Sequence, residues 1–107
     1  MTTTCERIHV DPADCERRLR EGRVQAARII DAMKAKGVTV ELFGSMRTGN
    51  VLPKSDIDLL IVDSGPMDPF EALYEIKLLE EGVPVDVTIL DLVPEPSRTV
   101  FLRSLNG

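Results

Sequence analysis

An apolar run from Ile57 to Val62 contains one carboxylate, Asp58, and this run constrains the fold more than any other feature. It is far too short for a bilayer, which needs about 20 apolar residues, and its length is typical of a buried strand. Side chains alternate along a strand, so Asp56 and Asp58 point to one face and Ile57 points to the other. The run therefore predicts two carboxylates converging where a buried strand begins.

A second strand pattern leads directly into a glycine and a serine. Residues 38–43 alternate in polarity and are rich in β-branched side chains, and Gly44 and Ser45 follow at once. Gly44 allows the backbone to approach a phosphate closely, and Ser45 offers a hydroxyl and an N–H where a short helix can start. Alone, a Gly-Ser pair is a common turn, so its meaning depends on what lies beside it.

The remaining pattern predicts a mixed α/β fold, in a single domain spanning residues 1–107. One long or two short helices are expected over residues 12–36, with Gly22 as a possible break. A helix capped by Asp68 should run until Gly82 stops it. Residues 83–90 predict a third strand, and Phe101, Leu102 and Leu105 suggest a short terminal helix or a docking tail. The predicted order is α-β-β-α-β-α.

Asp86 on the third strand supplies a further carboxylate. Its neighbours Val85 and Val87 point the opposite way, so Asp86 can join Asp56 and Asp58 if the two strands are adjacent. Like charges this close need compensation, which a divalent cation bound through carboxylate oxygens provides. One or two Mg²⁺ ions at such a site can bridge triphosphate oxygens and neutralise the leaving pyrophosphate.

Two cations lie between the Gly-Ser turn and the aspartates. Arg47 and Lys54 are available to pair with phosphate oxygens. The alternative is that Asp56 and Asp58 lie on a solvated face of the strand. Burial of unpaired carboxylates within the apolar run would be costly, and this favours a site for a metal ion and a nucleotide.

Charge narrows the range of partners. The formal net charge is −5, which disfavours non-specific binding to a nucleic-acid backbone. A local basic cluster is interpreted as the solvated face of a helix, in preference to a nucleic-acid patch. It consists of Arg17, Arg18, Arg20 and Arg23.

The cysteines are interpreted as free thiols of a reducing compartment, and the amino terminus lacks the pattern of a secretory signal. Cys5 and Cys15 have only His9 nearby, whereas a zinc site needs about four ligands, so two free thiols are expected. His9 has no visible triad partners and is interpreted as a surface or capping residue. The first residues form neither a basic n-region nor an apolar h-region, so we expect a cytoplasmic protein without a membrane segment.

The stretch from Leu42 to Val62 resembles the signature of the DNA polymerase β-like nucleotidyltransferase superfamily, and is most similar to its minimal nucleotidyltransferases. That signature has Gly-Ser, a Gly four residues later, Ser-Asp-Ile-Asp-Leu on a strand, and a third Asp on a later strand. The family often has Ala-Arg-Gly where this chain has Arg47-Thr48-Gly49. The residues that match are Gly44, Ser45, Gly49, Ser55, Asp56, Asp58 and Asp86.

The resemblance implies a nucleotidyltransferase fold, in which a small mixed sheet carries flanking helices, and it assigns roles to residues. It implies that Asp56, Asp58 and Asp86 are the catalytic residues and the metal ligands. It implies one or two Mg²⁺ ions as cofactor and ATP as substrate. The nucleotide-binding residues would be Gly44, Ser45, Arg47 and Ser55.

The resemblance also implies a partner. Minimal nucleotidyltransferases are typically antitoxins of HEPN-domain toxins, and attach AMP from ATP to a tyrosine of the toxin. A type VII-like toxin–antitoxin system is therefore expected, with only the catalytic core on this chain. Two alternatives stay open: a non-catalytic antitoxin that neutralises the toxin by forming a complex, or a nucleotidyltransferase that acts on RNA or a small molecule.

Overall fold

The computed structural model describes the backbone of residues 11–106 and the side chains of residues 11–100, 102 and 103. Cys5 and His9 lie outside this range, so the predictions made for them stay predictions. The described elements are α1 (Pro12–Lys34), β1 (Thr39–Phe43), α2 (Ser45–Thr48), β2 (Ile57–Asp63), α3 (Pro69–Leu78), β3 (Val85–Ile89), a 3-10 turn (Leu90–Leu92) and α4 (Ser97–Asn106). The predicted mixed α/β class is confirmed.

Helix α1 begins where the sequence predicts. The Asp11 side chain accepts a hydrogen bond from the Ala13 N–H at 2.9 Å, and Pro12 occupies the first helical position. The helix continues through Gly22 without a break, so one long helix is present and not two short ones. The chain then turns through Gly37, which adopts a positive φ of 83°.

The three strands form one sheet in the order β1-β2-β3. Strand β1 is antiparallel to β2, and β3 is parallel to β2. The parallel connection passes through α3, as a crossover between parallel strands requires. Strand β2 is therefore central, and its residues are held on both sides.

The hydrophobic core lies between one face of the sheet and helices α1 and α3. Ile57, Leu59 and Ile61 alternate onto that face and are at most 2% exposed. Leu60 points to the opposite face and is also fully buried. Helix α4 contacts β1, and the 3-10 turn contacts β2. Both faces of β2 are thus covered beyond its first residues, which explains its near-continuous apolar sequence.

Several boundaries differ from the predictions. Strand β2 begins at Ile57, so Asp56 lies just before the strand and not within it. Strand β3 covers Val85–Ile89 because the Val83 backbone bonds to a side chain of α1, and Pro84 has no N–H to donate. Helix α3 ends at Leu78, before Gly82. Helix α4 begins at Ser97, earlier than the apolar residues on which its prediction rested.

No helix within residues 11–106 is long and apolar enough to cross a membrane.

A buried glutamine joins α1 to the segment that leads into β3. Gln25 is 6% exposed, and its Nε2 donates to the Val83 carbonyl oxygen at 2.8 Å. Its Oε1 accepts from the Val83 N–H at 3.1 Å. One side-chain amide therefore satisfies both backbone groups of a buried residue, which aligns the chain before it enters the sheet.

We expect Gln25→Leu to destabilise the fold, since the replacement keeps the volume but leaves the Val83 carbonyl without this donor. The expected loss is about 1–3 kcal/mol in the free energy of unfolding, measured by urea denaturation. Glu21→Ala, at an exposed position of the same helix, is the matched control. Equal stability of the two variants would contradict the role given to Gln25.

Candidate active site

At the junction between β1 and α2, the backbone of Gly44 lies close to the carboxylate of Asp58. Gly44 has φ 75° and ψ −154°, in a region that is open almost only to glycine. A Cβ placed on Gly44 would lie 2.4 Å from Oδ2 of Asp58. Two separate features therefore favour glycine at position 44: the backbone conformation and the nearness of the Asp58 carboxylate.

Helix α2 is a single turn that follows this junction. Ser45 is its first residue, as the sequence suggested, and the N–H groups of Arg47 and Thr48 both donate to the Gly44 carbonyl, at 3.1 and 3.2 Å. The Gly49 N–H donates to the Ser45 carbonyl at 2.8 Å and ends the turn with φ 92°. The predicted Gly-Ser element is thus a defined turn that begins beside Asp58.

The sheet brings the predicted carboxylates to one edge of the molecule. Asp58 and Asp86 are register partners on the parallel strands β2 and β3, so their side chains lie side by side on one face. Asp58 is partly buried, whereas Asp56 and Asp86 are exposed. Burial raises the pKa of Asp58, and the negative charges of Asp86 and then Asp56 raise it further. Asp58 therefore interacts electrostatically with both of the other carboxylates.

The residues before Asp86 are fixed by α3 and the turn after it. Lys77 donates from Nζ to the Val85 carbonyl at 2.6 Å, and the Glu80 carboxylate accepts from the Val85 N–H. The Val85 N–H, followed by Lys77, lowers the pKa of Glu80. An ion pair thus holds both backbone groups of Val85 at the outer edge of the sheet, which sets where Asp86 lies.

The donor set can be tested against a magnesium ion. Among the described residues, no ion pair involves Asp56, Asp58 or Asp86. Within residues 11–106 no three His, Cys, Asp or Glu side chains already form a metal-binding group. Mg²⁺ usually takes one or two carboxylates, with water and phosphate oxygens completing its shell, and the Asp58–Asp86 pair fits this requirement. The metal-ligand role of the three aspartates stays a prediction.

The loop between α2 and β2 uses one predicted nucleotide-binding residue for its own structure. The Ser55 Oγ accepts from the Leu52 N–H at 2.8 Å, and the Ser55 N–H donates to the Leu52 carbonyl at 3.0 Å. The Ser55 hydroxyl keeps its proton for another acceptor. Arg47 is partly exposed on α2, and Lys54 is exposed in the loop. Nucleotide binding by Ser55 and Arg47 stays a prediction.

The basic cluster of α1 is more than a solvated face. Arg17 pairs with Asp14 on the same helix, and Arg20 is exposed. Arg18 and Arg23, however, donate to backbone carbonyls of the α2 turn and of the following loop. Arg23 is nevertheless exposed and Arg18 partly exposed, so this face of the helix is solvated and also binds the neighbouring segments. The mid-helix Gly22 beside Arg23 was the available signal, since it marks a close approach between segments.

We expect Gly44→Ala to lower the free energy of unfolding by at least about 1–3 kcal/mol, because alanine is strained at this φ and ψ and its Cβ meets Asp58. Gly82→Ala is the control: Gly82 also has a positive φ of 47°, but its added Cβ would be 3.9 Å from the nearest atom. Urea denaturation of both variants measures the difference. A smaller loss for Gly44→Ala than for Gly82→Ala would contradict the close approach.

We expect Asp58→Asn to stabilise the protein at pH 7 when no divalent cation is present. Burial, with the charges of Asp86 and Asp56, raises the pKa of Asp58 above the ordinary value of an aspartate, so the folded state holds the proton more tightly than the unfolded state. Its stabilising contribution is full below the unfolded pKa and is lost as the pH rises through the folded pKa. The advantage of the asparagine should therefore shrink as the pH falls.

Thermal unfolding of the wild type and Asp58→Asn at pH 7 and pH 3 measures this difference. Asp91→Asn, at an exposed position in the 3-10 turn, is the control and should not change with pH in this way. An asparagine variant less stable than the wild type at pH 7 would show that the ionised carboxylate is compensated within the protein.

Comparison with known proteins gives the family. A family model described as "Nucleotidyltransferase domain" matches residues 26–104, well over half of the chain. The matched region contains the Gly44–Ser45 turn and all three aspartates. No solved structure matches the chain significantly. With most of the chain and the whole predicted site inside the match, this protein belongs to the nucleotidyltransferase domain family and is an enzyme of nucleotidyl transfer.

Proposed function

We propose that the chain transfers AMP from Mg²⁺-ATP to a hydroxyl group of a partner HEPN-type toxin, a tyrosine side chain, and so acts as the antitoxin of a type VII-like toxin–antitoxin system. The observation that carries the proposal is the turn at Gly44, which meets Asp58 on the strand beside Asp86. A phosphate-binding turn and paired carboxylates at one point are what nucleotidyl transfer from a metal-bound triphosphate requires.

The aspartates and Ser45 have different roles in this proposal: some bind the metal and the phosphates, and Asp86 also accepts a proton. Asp56, Asp58 and Asp86 would hold Mg²⁺, which when bound neutralises charge on the triphosphate and on the pyrophosphate that leaves. The hydroxyl and the N–H of Ser45 would hold phosphate oxygens. The acceptor oxygen attacks the α-phosphorus in line, the bond to pyrophosphate breaks, and Asp86 takes the hydroxyl proton.

Asp86 suits the role of proton acceptor because of its exposure. It is exposed at the edge strand, whereas its register partner Asp58 is partly buried against Gly44. An acceptor hydroxyl on another macromolecule can reach an exposed carboxylate. The buried member of the pair is better placed to hold the metal and the exposed member to meet the acceptor.

Surface chemistry supports a protein acceptor. Phe70, Tyr74 and Leu78 recur every four residues along α3, and each is 62% exposed. Exposed apolar side chains in such a row are typical of surfaces that bind other proteins. The net charge of −5 disfavours RNA, whose phosphates it repels.

The direct test is to incubate the protein with Mg²⁺-ATP and a HEPN-type toxin encoded beside it, and to measure intact masses. We expect the toxin to gain the mass of one or more adenylyl groups, on a tyrosine located by peptide mapping. The double variant Asp56→Asn with Asp58→Asn should slow the gain on the order of 100-fold or more, since charge stabilisation of the transition state is lost. Asp91→Asn should transfer at the wild-type rate.

Other outcomes identify the alternatives. If the double variant still neutralises the toxin and no covalent nucleotide is found on it, the protein acts by occlusion and the enzymatic account fails. Labelled RNA, or a labelled small molecule, in place of labelled toxin would assign the transferase another acceptor.

A further inference from the structure

Arg23 of α1 holds two successive carbonyls of the α2 turn. Its Nε donates to the Met46 carbonyl oxygen at 2.8 Å, and its Nη2 donates to the Arg47 carbonyl oxygen at 3.1 Å. The last carbonyls of a helix have no partner within it, so an outside donor is needed. One planar guanidinium meets two of them, which fixes orientation as well as distance.

These contacts reach Gly44 through the peptide planes. A peptide unit is planar, so the Met46 carbonyl shares a plane with the Arg47 N–H, and the Arg47 carbonyl with the Thr48 N–H. Both of these N–H groups donate to the Gly44 carbonyl. Arg23 thereby fixes the two peptide units whose N–H groups bind the Gly44 carbonyl. Gly44 in turn lies against Asp58. A continuous series of contacts joins α1 to the carboxylates.

The same part of α1 is built for close approach. A Cβ on Gly22 would lie 2.5 Å from the Met46 sulfur, and Met46 is fully buried. Gly22 therefore gives Met46 its place against the helix, and the adjacent Arg23 holds the backbone on either side of it. The α2 turn is thus both packed on α1 and hydrogen-bonded to it.

Arg18 makes a matching contact at the other end of the loop. Its Nε donates to the Ser55 carbonyl oxygen at 2.8 Å, immediately before Asp56. The two ends of the segment from Gly44 to Asp56 are therefore fixed to one helix by two arginines.

We propose that Arg23 is a positioning residue of the nucleotide site, with Arg18 as its counterpart at the loop. Arg23 acts through the carbonyls of Met46 and Arg47, which orient the α2 turn against Asp58. This proposal rests on the proposed function, since it names what aligns the same site. Reactions that depend on alignment can lose on the order of 100-fold in rate when a group is displaced by about 1 Å.

The test compares Arg23→Gln, Arg23→Lys and Arg20→Gln in the full chain. Arg20 is the matched control: it lies on the same helix with the same charge, and no hydrogen bond or ion pair within the described residues involves it. Amide hydrogen exchange of Arg47, Thr48 and Gly49 is measured by NMR. The rate of adenylyl transfer and the KM for Mg²⁺-ATP are measured on the same samples.

For Arg23→Gln we expect exchange of the Arg47 and Thr48 amides to rise at least about tenfold. We expect kcat to fall about 10- to 100-fold while KM changes less than about threefold, because alignment matters more in the transition state than in binding. Arg23→Lys should lie between the wild type and Arg23→Gln, since it keeps the charge but loses the planar fork. Arg20→Gln should match the wild type in every measurement.

Three results would overturn the proposal. One is wild-type exchange and kcat in Arg23→Gln, and another is full recovery in Arg23→Lys, which would assign the effect to charge alone. The third is a rise in KM with kcat and exchange unchanged, which would mean direct attraction of the nucleotide. If Arg23→Gln does not fold, Arg23→Lys carries the test. Exchange needs no turnover, so the role of Arg23 is decided even if the wild type transfers no nucleotide and the proposed function fails.

Discussion

The contact between Gly44 and Asp58 is the constraint on which the site depends. The backbone of Gly44 lies where any side chain would displace the Asp58 carboxylate, and its φ and ψ exclude other residues independently. Asp58 is fixed in turn by β2, which has a partner strand on each side. The turn proposed to hold phosphate therefore lies against a carboxylate proposed to hold a cation. Their separation is set by the sheet and not by a flexible loop.

This arrangement opposes stability, and the surrounding structure offsets it. Burial raises the pKa of Asp58, and the negative charges of Asp86 and Asp56 raise it further, so the ionised form of this carboxylate opposes folding. Elsewhere polar side chains stabilise the fold: the ion pair of Lys77 and Glu80 holds the backbone of Val85, and the neutral amide of Gln25 holds that of Val83. The edge strand that carries Asp86 is thus fixed by neutral and paired groups, while the aspartates themselves keep no protein cation among the described residues. The proposed Mg²⁺ ion would neutralise the negative charge of these aspartates when it binds with the triphosphate.

The sequence predicts the elements that local patterns determine. Alternation along residues 57–62 and along residues 83–90 is enough to place two strands and to put Asp58 and Asp86 on one face once the strands are adjacent, because a period of two decides which residues share a face. It does not place Asp56, which lies before β2. The same reasoning could not show that the Ser55 hydroxyl is used by the Leu52 N–H, or that Arg18 and Arg23 bind carbonyls of distant segments. A side chain can donate to the backbone carbonyl of any residue type, so the sequence carries no pattern that identifies the acceptor. An arginine on a helix therefore has the same sequence pattern whether it faces solvent or holds a turn.

Helix α1 shows how a catalytic core depends on residues outside its recognisable signature. The family match begins at residue 26, so Arg18, Gly22 and Arg23 all precede it, although they pack against and bind the segment that carries Gly44 and Asp56. Residues that face a phosphate or a metal must keep one chemistry, whereas a carbonyl can be held by any suitably placed donor. Support of this kind can therefore be supplied by different residues in different chains while the turn and the aspartates stay the same. In this chain the support is a glycine and two guanidinium groups on a single continuous helix, which contact the α2 turn and the loop that leads to Asp56.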